Sequence, residues 1–185
     1  MTPAYRLARS LVLLAAVAGC TALPTVREAD FDRPLFELAG RVAVQYGAEG
    51  ASARLTWRHG AASDDLLISS PLGQGIARLT RRGGEVQLVT SDATTHRAAD
   101  AESLTEQVLG WRLPLAGLPD WVQGRPDPAR PAELARDASG RATELRQDRW
   151  RIEYQEYEGE RPSRLRLTRD DLEIRLVVDQ WMVTP

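Results

Sequence analysis

Apolar residues return at every second position in short runs along most of this chain, and that period constrains the fold more than any other feature. In the first run Leu38, Gly40, Val42, Val44 and Tyr46 oppose Ala39, Arg41 and Gln45; in the next, Ala53, Leu55 and Trp57 oppose Arg54, Thr56 and Arg58. Successive side chains of a strand point to opposite faces, so such runs predict strands that are apolar on one face and solvated on the other. Residues 47–50 and 59–60 read as turns. Further strands are predicted over 65–69, 75–81, 85–91 and 94–98, with Arg82-Gly83-Gly84 as a tight hairpin turn. The period resumes over 132–136, 142–146, 150–157, 163–168 and 171–179, with turns at Ser139-Gly140 and Glu158-Gly159.

Between the two groups of strands the period lengthens. Asp100 is placed to cap a helix over 101–109 with Leu104, Val108 and Leu109 on one face, and Gly110 stops it. A shorter helix is predicted over 114–122, where Leu115, Leu118, Trp121 and Val122 share a side, before Gly124, Pro126, Pro128 and Pro131 break the pattern. A sheet of about eleven strands does not stay flat; it curls, closes or splits. The expected fold is mainly β: a strongly curved, incomplete antiparallel β-barrel with a helical lid over an apolar interior.

The N-terminus follows a different grammar. Arg6 and Arg9 precede a short apolar run over 11–18, and small residues lead into the only cysteine as Val17-Ala18-Gly19-Cys20. This is the pattern of an export signal, far shorter in its apolar part than the roughly 20 residues of a membrane-spanning helix. Residues 1–19 are therefore expected to be a cleaved signal, 20–37 a lipidated N-terminus and tether containing Pro24 and Pro34, and 38–185 one folded domain. Residues 17–20 resemble the lipobox of bacterial lipoproteins, which implies that the Cys20 thiol is acylated and the signal cut before it; with no second cysteine, an intramolecular disulfide is excluded. The formal charge of −2, about −4 once Arg6 and Arg9 are removed, is too weak a field to argue for nucleic acid.

Enzyme chemistry finds little support. His59 beside a turn and His96 in a polar segment have no neighbours at metal-ligand spacing, and both read as exposed and neutral in role. The pairs Asp64-Asp65 and Asp170-Asp171 fall at predicted turns, where aspartate bonds the local backbone. Gly73-Gln74-Gly75 joins strand to strand without the helix N-terminus of a phosphate loop. Trp57, Trp150 and Trp181 lie in or beside strands while Trp111 and Trp121 lie in the helical insertion, so sheet and lid both supply large rings. These rings either pack a solid core or line a ligand cavity. In the connector Ser69-Ser70-Pro71-Leu72-Gly73-Gln74-Gly75, Leu72 is an apolar tip in polar surroundings. One exposed leucine is ordinary, and it also suits a membrane or ligand contact.

Several blocks, taken in order, resemble the LolB family of outer-membrane lipoprotein receptors: the lipobox ending at Cys20, Gly40-Arg41-Val42-Ala43-Val44, the strand ending at Trp57, Ser70-Pro71-Leu72-Gly73, Gly110-Trp111-Arg112-Leu113-Pro114-Leu115, Trp121-Val122-Gln123-Gly124, residues 150–157, and Asp179-Gln180-Trp181. The resemblance implies an apolar cavity under the lid, built here from Trp57, Leu104, Val108, Trp111, Leu118, Trp121, Trp150, Ile152 and Trp181. It implies acylation of Cys20, with Thr21 suited to outer-membrane sorting, and a delivery loop at Pro71, Leu72 and Gly73. It also implies a helix ahead of the first strand, for which this chain leaves only a short segment around residues 28–33. The implied function is receipt of lipoproteins from the periplasmic carrier LolA and their insertion into the inner leaflet of the outer membrane. Such a protein acts as a lipid-anchored monomer facing the periplasm, without enzyme activity, cofactor, metal or nucleic acid. The alternative is a structural outer-membrane lipoprotein that scaffolds an envelope complex through the outside of its sheet.

Overall fold

The computed structural model describes residues 32–182; Cys20, Thr21 and most of the 28–33 segment lie outside them. The elements are β1 (Pro34–Tyr46), β2 (Glu49–Gly60), β3 (Ser63–Ser69), β4 (Gly75–Arg82), β5 (Glu85–Thr90), β6 (Thr95–Ala98), α1 (Ala101–Leu109), α2 (Leu118–Trp121), β7 (Glu133–Arg136), β8 (Ala142–Gln147), β9 (Trp150–Glu158), β10 (Arg161–Arg169) and β11 (Leu172–Met182). All eleven strands join one sheet in the order β6-β5-β4-β3-β2-β1-β11-β10-β9-β8-β7. First and last strands are neighbours at its centre, paired antiparallel from Glu37↔Met182 to Tyr46↔Leu172.

This order leaves one long connection. The chain quits the sheet at one outer edge, β6, and re-enters at the other, β7, so the segment carrying α1 and α2 runs from edge to edge. Flat, the sheet would be about 48 Å wide at the usual strand spacing. Yet Val86 and Leu88 of β5, Ala142 and Leu145 of β8, and Leu104, Leu118 and Trp121 of the insertion belong to a single apolar cluster. The sheet is therefore curled, with the helices closing its concave side. The edge strands are only four residues long and carry His96, Arg97, Glu133 and Arg136, which discourages pairing with another chain.

The alternation read from the sequence sorts the two faces. Leu38, Leu55, Trp57, Leu66, Leu79, Leu88, Ile152, Leu165, Leu167, Ile174 and Leu176 are buried on the concave side. The convex side carries cross-strand ion pairs, including Arg41–Asp179 at 2.7 Å, Arg58–Glu37 at 2.9 Å, Arg78–Asp65 at 2.5 Å and Arg151–Glu144 at 2.8 Å. A pair as exposed as Arg41–Asp179 contributes little on its own, but together the charges keep that face polar. At the centre β1 bulges between Ala39 and Gly40. A Cβ at Gly40 would lie 2.2 Å from the Val177 carbonyl oxygen, so only glycine permits this approach.

Some boundaries differ from the sequence reading. β1 starts at Pro34, ahead of the expected Leu38, because Pro34 and Phe36 already pair with Gly60 and His59. β3 starts at Ser63, which puts Asp64 and Asp65 in a strand instead of a turn. The helix expected over 114–122 shrinks to α2, a single turn preceded by bonds from Gly117 N and Leu118 N to Pro114 O. α1 agrees with expectation: the Asp100 side chain accepts from Glu102 N and Ser103 N, and Gly110 ends the helix at φ 80°.

Candidate functional site

The rings and aliphatic side chains singled out in the sequence converge. Trp57, Leu104, Leu118, Trp121, Trp150 and Ile152 are buried in the central cluster, and Val108, Trp111 and Trp181 pack against it, partly exposed. Phe36 stands edge-on to Trp57 with ring centres 5.0 Å apart and to Trp181 at 5.5 Å, while Trp121 and Trp150 lie 6.2 Å apart. Trp57, Trp121 and Trp150 are at most 1% exposed, so in this state the rings fill the concavity against one another. Any guest must displace some of them, and the insertion is the part bound by the fewest sheet contacts.

Among the described residues, polar contacts hold that insertion at both helices, and Arg130 pairs with Asp148 in the segment after α2. At α2, Trp121 Nε1 donates to Gln147 Oε1 at 2.7 Å, and the same oxygen accepts from Asp127 N at 2.9 Å. Gln147 Nε2 in turn donates to the carbonyls of Asp127 and Arg130, and Tyr154 OH donates to Trp121 O at 3.0 Å. Burial pushes the Tyr154 phenol well above its ordinary pKa, so it stays a donor. At α1 the tie is lighter: Arg169 of β10 reaches Glu102 at 3.1 Å, with its guanidinium 4.9 Å over the Trp150 ring. Sequence reasoning missed Gln147, Tyr154 and Arg169, since a polar residue at one position in a strand pattern carries no mark of what it faces.

A second polar cluster lies under the apolar floor. Asp64 is fully buried and accepts from Trp57 Nε1 at 2.8 Å and Arg81 Nε at 2.6 Å, with His59 Nδ1 at 2.7 Å. The expectations of a turn aspartate and an exposed histidine are both corrected here: Asp64 points inward because β3 begins earlier than the sequence suggested, and His59 packs 4.8 Å from the Phe36 ring. His59 and Arg81 also edge a cleft of about 470 Å³ beneath the start of α1, lined further by Asp100, Glu102 and Asp120.

The 70–74 connector is shaped by its own bonds. Ser70 N donates to Gln74 O at 2.7 Å, Gly73 N donates to Ser70 O at 2.8 Å, and Gln74 N donates to Ser70 Oγ at 3.2 Å. Gly73 adopts φ 88°, a conformation that favours glycine. Pro71 and Gly73 flank Leu72, which is 92% exposed, the most exposed large apolar residue described. Ile76, at the start of β4, is 39% exposed beside it. No charged residue occurs between Asp65 and Arg78 in a chain that is 27% charged. In the antiparallel order this connector shares one end of the sheet with the turns after β1, β5, β8 and β10, whereas Asp32, where the described chain begins, bonds Ala62 N at the opposite end.

The chain matches the family model described as "Outer membrane lipoprotein LolB" over residues 35–181. It is 41% identical over 184 residues to an outer-membrane lipoprotein LolB of Thiobacillus denitrificans, covering 97% of this chain and 99% of that one. It is 42% identical over 164 residues to the LolB of Nitrosomonas europaea, covering 85% and 77%. Among solved structures, a LolA superfamily protein from Nitrosomonas europaea superposes with a TM-score of 0.51 at 10% identity over 85% of this chain and 90% of that one, a likeness of fold.

Proposed function

Because the chain belongs to the LolB family of outer-membrane lipoproteins, we propose that it takes lipoproteins from the periplasmic carrier LolA and inserts their acyl chains into the inner leaflet of the outer membrane. The observation that carries this reading is the pairing of two apolar features in one sheet: a concave interior closed by a lid, and Leu72 held 92% exposed on a loop locked by its own hydrogen bonds. The interior suits acyl chains, each CH₂ of which gains about 0.8 kcal/mol on leaving water. The loop suits a bilayer, because its local bonds keep Leu72 from folding back.

The steps follow from the residues. A carrier presents chains to the lid; α1 lifts by giving up the Arg169–Glu102 pair while Gln147 and Tyr154 retain α2. Chains then replace the packing contacts that Trp57, Trp121, Trp150 and Ile152 make in the central cluster. Leu72, flanked by Pro71 and Gly73, enters the leaflet and brings the open mouth to it. No step makes or breaks a covalent bond, so the reading requires neither catalytic residue nor cofactor. Direction comes from affinity: binding tighter than the carrier's and weaker than the bilayer's.

Acceptance is tested in solution by mixing the mature chain, Cys20→Ala and therefore unacylated, with cargo-loaded LolA and separating the two proteins. Cargo is expected to move to this chain. A scaffold with a solid interior would leave it on the carrier, and that result would reject the proposal.

The anchor rests on the lipobox. In cells fed labelled palmitate, the wild-type protein is expected to take up label and the Cys20→Ala protein none, with its signal left uncleaved or misprocessed. Label on Cys20→Ala would place the lipid elsewhere.

A further inference from the structure

Three tryptophans are fully buried, and they differ in one respect. Trp57 Nε1 donates to Asp64 and Trp121 Nε1 donates to Gln147, but Trp150 Nε1 is buried with no hydrogen-bond partner among the described residues. Buried indole N–H groups normally find an acceptor, so this donor stands out. Arg166 Nε is also buried without a hydrogen-bond partner, but its guanidinium pairs with Glu153 and Glu173 on the convex side. Trp181 Nε1 is without a partner among the described residues too, but its ring is only partly buried.

The place of Trp150 gives that donor a meaning. It is the first residue of β9, at the same end of the sheet as the Leu72 loop, and Arg169 lies over its ring at 4.9 Å. Arg169 also lines a rim cleft of about 270 Å³ with Tyr46, Trp111, Arg112 and Arg149, where the C-terminal end of α1 meets the turns after β8 and β10. One guanidinium thus touches both the apolar cluster and the polar rim. At such a boundary an amphipathic guest changes character, from hydrocarbon inside to a polar linkage at the mouth.

We infer that Trp150 Nε1, with Arg169 beside it, forms a subsite for the ester carbonyls that join acyl chains to the glyceryl group of a cargo lipoprotein. This rests on the proposed function and adds to it a recognition of the linkage as well as the chains. An ester oxygen accepts from the unpaired indole N–H, while Arg169, freed from Glu102 when α1 lifts, turns to the polar rim and the cargo's head beyond the linkage. Apolar contacts alone do not distinguish a dialkyl ether from a diacyl ester of equal chain length, whereas this subsite does.

The test uses the whole mature chain with Cys20→Ala, an apolar fluorescent probe in its interior, and two displacing ligands: a synthetic dipalmitoyl-glyceryl-cysteine peptide and its dialkyl ether analogue. The unmodified interior is expected to bind the ester about five-fold more tightly than the ether, the scale of one net hydrogen bond. Trp150→Phe keeps a ring but removes the donor, and is expected to reduce that preference to less than about two-fold. A packing role alone would weaken both ligands equally. If Trp150→Phe does not fold, replacement of Trp150 by benzothienylalanine, which exchanges the N–H for sulfur in the same shape, takes its place. Equal binding of the two ligands to the unmodified interior, or an ester preference that survives loss of the donor, overturns this inference while leaving the cavity intact. Failure of both ligands to displace the probe overturns the cavity reading beneath it.

Discussion

Leu72→Glu is expected to accept cargo from the carrier at the wild-type level and to deliver it to vesicles at least about ten-fold more slowly, so that cargo accumulates on the mutant. Burying a leucine side chain in hydrocarbon gains about 1.5–3 kcal/mol, and a carboxylate at the same depth must instead be desolvated or protonated. Either change alone exceeds the 1.4 kcal/mol that corresponds to a factor of ten. The folded domain should not notice, because Leu72 is 92% exposed and the loop is held by Ser70, Gly73 and Gln74. Its unfolding free energy is expected to stay within about 0.5 kcal/mol of wild type. Vesicle flotation after incubation with loaded carrier reads delivery, and urea unfolding reads stability; normal delivery by a stable mutant would take Leu72 out of the mechanism.

Asp64→Ala is expected to have the largest effect on stability, about 3–5 kcal/mol by urea unfolding. The substitution leaves Arg81 without the carboxylate it bonds at 2.6 Å, and leaves Trp57 Nε1 buried with no acceptor. Asp64→Asn retains an acceptor for the indole but loses the charge opposite Arg81, and its loss is expected to be clearly smaller. Because the Trp57 ring packs on Phe36, which packs on Trp181, the damage reaches the floor of the interior. A loss below about 1 kcal/mol for Asp64→Ala would show that the cluster is replaceable and that the floor stands on apolar packing alone.

The fold was legible where the pattern is local and repeated. Alternation such as Leu38 to Tyr46 signals which side chains share a face, and a run of such segments with glycine-bearing turns leaves little choice but an antiparallel sheet. The capped helix after Asp100 was legible for the same reason, since its stop and start signals sit within a dozen residues. What the sequence hides is register between distant segments. Asp64 looked like a turn residue because nothing nearby shows that Ser63 opens β3 or that Arg81, 17 residues on, will face it. Gln147 was equally silent, because its partners Trp121, Asp127 and Arg130 are brought to it only when the insertion folds back across the sheet.

The candidate site divides along the same line. Its apolar members were legible as a set, for large rings in strands and helices must be buried somewhere and one concave face collects them. The polar members that fasten the lid, and the unpaired indole of Trp150, depend on three-dimensional neighbours and carry no local sign. Leu72 was visible as an oddity, an apolar tip between Pro71 and Gly73, and the fold adds that no packing explains it.

The central claim is that this chain moves acyl chains from a soluble carrier into a bilayer, and one reconstitution tests it most directly. LolA loaded with a labelled lipoprotein is incubated with phospholipid vesicles in the presence or absence of the acylated chain, and the label floating with the vesicles is measured over time. Transfer is expected to depend on the chain, each molecule serving many cargoes, with the label resistant to carbonate extraction. Label that remains with the carrier at the same level whether or not the chain is present would contradict the account.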